Sequence, residues 1–217
     1  MQKKMLWGIL LIAVALLLVG GGVFAYFSDT ETASNNNFAA GTLDLQVGDQ
    51  SPCNEQINVP ALKPGDTGEP ADWQMQNLGT IRGDLNISCG TITNSENTRL
   101  AQEIAAGDTT DGVGELGDNL TVAFWVDITD DGWSSGDYYL ASNGSKISYQ
   151  AGDVGLPAAA YDVLNHYSGL SWNGVQTNLP LGTIGYFKAD YSLPLATNSQ
   201  IQSDSCVFNL AFTLKQS

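Results

Sequence analysis

After Phe38, apolar residues recur at every second position in short runs parted by Gly, Pro and Asn, and that rhythm confines the chain to an all-β architecture. Gly41-Thr42-Leu43-Asp44-Leu45-Gln46-Val47 alternates as a half-buried strand does, and Ile57-Asn58-Val59 predicts a second. Lys63-Pro64-Gly65-Asp66 is a turn, because proline presets φ at its second position and glycine supplies a positive φ at its third. A strand then starts near Ala71 with Trp73 and Met75 on one face, and Leu85, Ile87 and Cys89 mark the next. Leu120 to Asp127 turns Val122, Phe124 and Val126 one way, and Tyr138 to Tyr149 surrounds Asn143-Gly144, a strong hairpin signal. Thr183 to Leu193 precedes a last strand carrying Cys206, Phe208, Leu210, Phe212 and Leu214. Two stretches break the rhythm. Ser95 to Ala106 and Pro157 to Tyr167 read as short helices in crossover insertions, at about 92–118 and 150–182. Strands at both ends with helical excursions between them predict a two-sheet sandwich, a jelly roll with short helical insertions.

Composition restricts the partners such a sandwich can have. At 43% hydrophobic and 14% charged residues the chain can build a core, but its 8 Lys+Arg stand against 23 Asp+Glu. A net charge of −15 excludes electrostatic binding to nucleic acid or to an anionic membrane surface. The one histidine, His166, excludes a His-pair zinc site and the HExxH metalloprotease motif. No GxSxG and no cysteine beside a histidine is present, so the residues predict no enzyme.

The first residues address the chain for export. Gln2, Lys3 and Lys4 are followed by an uncharged run from Leu6 to Val19, then by Gly20-Gly21-Gly22 and small residues at Val23 and Ala25. This is the layout of a secretory signal peptide over residues 1–25, cut between Ala25 and Tyr26. A retained anchor is the alternative, since Met5 to Phe27 would span a bilayer at about 20 residues. Cleavage removes Lys3 and Lys4 but no acid, so the mature chain is more acidic still.

Several of these segments together resemble a known family. Gly20-Gly21-Gly22-Val23-Phe24-Ala25-Tyr26-Phe27-Ser28-Asp29, then Asn37-Phe38-Ala39-Ala40-Gly41-Thr42-Leu43-Asp44-Leu45, are similar to the start of the TasA/camelysin family of exported fibre proteins. Leu62-Lys63-Pro64-Gly65-Asp66, Asn77, Gly79 and the terminal Phe208-Asn209-Leu210-Ala211-Phe212 continue the likeness over roughly a third of the chain, whereas Ile92 to Pro180 carries no such signature. The resemblance implies a jelly-roll subunit over residues 39–217, cut by a SipW-like signal peptidase and assembled with itself into extracellular biofilm-matrix filaments. It implies further that residues 26–38 are a donor segment, anchored by Tyr26, Phe27 and Phe38, that adds as a strand to a neighbouring copy. Membrane contact would end at cleavage. The alternative is a monomeric secreted or surface-anchored jelly roll that binds carbohydrate on Trp125, Trp133 and Trp172.

Three finer readings complete the picture. Asp127-Ile128-Thr129-Asp130-Asp131-Gly132 with Asp137 resembles an oxygen-ligand calcium loop in which Asp127, Thr129, Asp131 and Asp137 would be ligands; a plain acidic turn is the alternative, and no cofactor is required. Cys89 ends one strand and Cys206 begins another on the same inward face, which in a jelly roll makes them the expected disulfide and leaves Cys53 a free thiol, with three reduced cysteines as the alternative. Asn86, Asn119 and Asn143 stand in glycosylation acceptor triplets.

Overall fold

The computed structural model describes residues 41–48, 57 and 62–216. The signal peptide with its cleavage site at Ala25 and Tyr26, the donor segment with Phe27 and Phe38, and Cys53 lie outside the described residues. Among the described residues twelve strands pair antiparallel. Sheet one runs β1 (Leu45–Val47), β2 (Thr67–Asn77), β10 (Gly182–Ser192), β5 (Thr121–Asp127), β6 (Tyr138–Leu140), β7 (Lys146–Ser148), with β8 (Asp162–Val163) paired to the start of β5. Sheet two runs β12 (Leu210–Gln216), β3 (Gly83–Cys89), β9 (Ser171–Leu179), and a ribbon joins β4 (Thr93–Ser95) to β11 (Ser205–Val207). Partners nest: β2 with β10, β3 with β9, β5 with β8, β6 with β7. A long hairpin folded over on itself gives that nesting, and it is the jelly-roll order.

The core lies between the two sheets because each turns its apolar alternation inward. Leu85, Ile87 and Cys89 of β3 meet Met75, Phe124 and Phe187 of sheet one. Phe187 and Phe212 cross the interior edge to face with ring centroids 5.0 Å apart, and Trp73 stacks on Phe187 at 5.7 Å. The expected turn forms at Lys63 to Asp66, where the Asp66 N–H donates to the Lys63 carbonyl at 3.0 Å and Gly65 takes φ +92°. The Asn143-Gly144 hairpin forms too, closed by the Ala141 N–H on the Ser145 carbonyl at 2.9 Å.

Other expectations are corrected. Ile57 lies in no strand. The anticipated helix at Ser95 to Ala106 shrinks to α1 (Ala101–Ala105), because β11 captures Thr93–Ser95 as a strand; a further turn, α2 (Leu116–Asn119), follows. Pro157 to Tyr167 is not one helix but two 3₁₀ turns, Ala158–Ala160 and Leu164–Tyr167, parted by β8. The last strand breaks into β11 and β12, with Phe208 and Asn209 between them. β5 has no wet face: Ala123 and Trp125 form a second cluster with Tyr139 and Ala160, roofed by Trp133 and Leu156.

Candidate functional site

The side of the sandwich where the chain enters has an open edge. β1 pairs only with β2, and β12 pairs only with β3, among the described residues. β1 and β12 approach each other there. The entry is pinned by backbone: the Thr42 carbonyl accepts from Thr80 at 2.7 Å and the Asp44 carbonyl from Leu78 at 2.7 Å. Only glycine fits at 79, since a Cβ there would stand 2.2 Å from the Thr42 carbonyl oxygen. Buried Asn77 shapes the same bend by accepting from the Gly79 N–H at 3.1 Å and donating to the Ile81 carbonyl at 3.0 Å. Along β12, Leu210, Phe212 and Leu214 pack on the core yet stay half-buried. The opposite edge of sheet two is covered, because Trp172 Nε1 donates to the Ala141 carbonyl at 2.9 Å and Lys146 Nζ to the Val175 carbonyl at 2.6 Å, joining β9 to the β6–β7 hairpin.

The acidic loop after β5 gathers carboxylates as its sequence suggests. Ligand oxygens of Asp127, Asp131 and Asp137 lie within 4.8 Å of one another. The loop's own donors already occupy them. Asp127, fully buried, accepts from the backbone N–H groups of Thr129, Asp130, Asp131 and Gly132, and Asp137 from those of Ile128 and Ser134. The Thr129 hydroxyl donates to Asp131 at 2.8 Å, as does that of Ser134, and these bonds first among the causes hold the Asp131 carboxyl below the usual range. Burial pushes Asp137 the other way. Lys188 supplies the cation beside this loop: its Nζ lies 3.1 Å from Asp130, 3.1 Å from Asp72, 3.7 Å from Glu69 and 4.0 Å from Asp127. Sequence reasoning missed Lys188, although a lysine inside the otherwise apolar stretch 184–189 of β10 was the available signal.

His166 is exposed on the second 3₁₀ turn, with Nδ1 2.9 Å from Asp162 Oδ1. The Ser142 hydroxyl donates to the other Asp162 oxygen. Here the carboxylate sits between serine and imidazole, whereas nucleophile activation requires the imidazole in the middle.

With this geometry in place, relatives can be compared. The profile of the family described as "Camelysin metallo-endopeptidase" matches residues 1–216. The chain belongs to the camelysin family. A relative described as "Major biofilm matrix component", from Bacillus subtilis (strain 168), is 35% identical over 106 residues, which cover 44% of this chain and 39% of the relative. The match thus spans well under two thirds of that relative's length.

In this camelysin-family chain the remaining candidates fall in separate places. The expected Cys89–Cys206 disulfide is not made; both are free thiols. The reason is register: Leu210, not Cys206, lies opposite Cys89, while Cys206 lies opposite Asn94 on the ribbon and donates its thiol to Asn94 Oδ1 at 2.8 Å. Burial pushes the Cys89 thiol up to about 11 and the Cys206 thiol up to about 12. Asn143 is exposed on its hairpin tip with its Oδ1 accepting from the Ser145 N–H at 2.9 Å, Asn86 Oδ1 accepts from the Gly174 N–H at 2.7 Å, and Asn119 Nδ2 donates to the Glu115 carbonyl at 2.9 Å. The tryptophan platform is not formed: Trp172 and Trp125 are buried at 1% and 6% exposure, and Trp172 belongs to a different cluster from Trp125 and Trp133.

Proposed function

We propose that this protein is the repeating subunit of an extracellular biofilm-matrix filament, in which residues 26–38 of one copy add as a strand to the open β12 edge of the next. The carrying observation is that edge. Among the described residues sheet two has three strands where sheet one has seven, and β12, paired on one side to β3, presents its other side beside a half-buried row of Leu210, Phe212 and Leu214. The matching stretch in a biofilm matrix component supports the same reading. On this reading the chain leaves the cell after a SipW-like peptidase cuts between Ala25 and Tyr26, and its role is structural, not catalytic.

Magnitudes set a condition on the mechanism. Burying Tyr26, Phe27 and Phe38 contributes about 1.5 to 3 kcal/mol each, and main-chain pairing about 0.5 to 1.5 kcal/mol per bond. Ordering each residue of the segment costs about 1 to 2 kcal/mol. Addition is therefore favourable only when most of the segment pairs along the seven residues of β12. Deleting Tyr26 to Asn37 leaves a folded monomer that forms no filaments in negative-stain electron micrographs. Filaments of normal appearance from the truncated chain would refute strand addition.

A further inference from the structure

The ribbon end of the sandwich holds a second group of acids, and its chemistry differs from that of the 127–137 loop. Glu96 follows β4, Glu103 lies in α1, Asp108 follows α1, Glu115 precedes α2 and Asp204 precedes β11. Ligand oxygens of Glu96, Glu103 and Asp204 lie within 4.8 Å of one another, and so do those of Glu96, Asp108 and Glu115. Glu96 is common to both sets.

Each of the five carboxylates is anchored through one oxygen. Glu103 accepts from the Leu100 N–H, Asp108 from the Thr110 N–H at 2.8 Å, and Glu115 from the Thr110 hydroxyl at 2.6 Å. Asp204 accepts from the N–H groups of Glu115 and Leu116 at 2.6 and 3.1 Å, and Glu96 from the Ser203 hydroxyl at 3.3 Å. The second oxygen of every one is shut off from solvent and has no hydrogen-bond partner: Glu96 Oε2, Glu103 Oε1, Asp108 Oδ2, Glu115 Oε2 and Asp204 Oδ1. Among the described residues only one other buried side-chain atom, Trp125 Nε1, shares that condition. Glu103 is 0% exposed and Asp108 4%. Among the described residues no basic group pairs with any of the five; Arg99, in the same segment, pairs with Asp111 instead.

Buried carboxylate oxygens left without a partner cost several kcal/mol each to desolvate, a cost that a bound cation or a proton offsets. We propose that these five carboxylates form a calcium site, with Glu96 bridging its two halves. Calcium takes six to eight oxygen ligands at about 2.3 to 2.6 Å, so oxygens on opposite sides of one ion stand about 5 Å apart, and each of the two sets keeps its oxygens within that reach. A set made wholly of carboxylates, without histidine or thiolate, excludes a preference for zinc or copper. Gly114 closes the cradle: a Cβ there would stand 2.8 Å from both the Asp204 carboxyl carbon and the Ser95 carbonyl oxygen. Burial foremost raises the Glu96 and Asp204 carboxyls above the usual range.

The site does not depend on filament assembly, and purified monomer serves to test it. Thermal unfolding is followed in EDTA, in calcium chloride and in magnesium chloride, and binding is measured by calorimetry. Calcium at a hundredfold excess over its dissociation constant raises Tm by about 5 °C or more. Glu103→Gln and Asp108→Asn each weaken calcium binding at least tenfold, whereas Asp131→Asn does not. Hydrogen exchange of the unaltered protein gives the same answer without any variant: calcium slows exchange in residues 93–116 and 203–206. No binding at millimolar calcium, an equal response to magnesium, or binding abolished by Asp131→Asn but kept by Glu103→Gln overturns the proposal.

Discussion

At the scale of single residues, the molecule shows two ways of holding an acid. Asp127 is fully buried and spends both oxygens on four backbone N–H groups of its own turn. Asp127→Ala would strand those donors, and urea unfolding should show a loss of about 3 kcal/mol. Asp162 is held by side chains as well as by backbone. Burial works to raise it, but bonds from Ser142, the Val163 N–H and His166 outweigh burial and hold its carboxyl below the ordinary value. A carboxyl lowered in the folded state lends stability above the ordinary aspartate range and loses it as pH falls through the folded value. Its side chain is 36% exposed, so screening limits the effect to about 0.5 to 1 kcal/mol. Asp162→Asn should therefore cost that much at pH 7 and nothing at pH 2, in parallel urea titrations. The sequence made the first kind of residue legible, since Asp127 and its neighbours have the spacing of an acid-lined turn. Asp204 was illegible as a neighbour of Glu96 and Glu103, because residues about a hundred positions apart meet there only when β4 pairs with β11.

At the scale of elements, period two located strands well where one face stays wet, and failed where pairing overrode local preference. β3 alternates in burial at every position, as its sequence does. Thr93–Ser95 has no such alternation, and β11 recruited it out of a helix-like stretch. Asp162–Val163 was drawn in the same way onto β5. A bulge in β10 carries a sharper constraint. The register with β2 slips between Thr183 and Gly185, and Gly185 adopts φ +134°. A Cβ there would stand 3.1 Å from the Asp127 carbonyl oxygen and 3.2 Å from Val126, whereas at Gly144, with φ +82°, the nearest atom is 4.0 Å away. Gly144→Ala meets only the backbone penalty, about 1 kcal/mol. Gly185→Ala meets penalty and collision together, and should lose at least twice as much in chemical denaturation. Equal losses would show that the bulge relaxes.

At the scale of the whole molecule, the open edge and the net charge oppose each other. A chain of charge −15, more acidic still once the proposed cleavage removes Lys3 and Lys4, repels its own copies, and repulsion keeps an exposed strand edge from pairing at random. Assembly by strand addition must bring such subunits within a few ångströms. The relevant length is the screening distance, about 30 Å at 0.01 M salt and about 10 Å at 0.1 M. At the lower value neighbouring subunits feel most of each other's charge, and at the higher only that near the contact. Polymerisation of the mature chain should therefore strengthen as sodium chloride rises from 10 to 150 mM, a trend opposite to that of a filament held by interfacial ion pairs. The measurement is the concentration left in the supernatant after pelleting filaments, with EDTA present throughout so that no divalent cation contributes. A fall of several-fold is expected. A supernatant concentration that rises with salt would mean that ion pairs between subunits, rather than the aromatic anchors and main chain of a donated strand, hold the filament together.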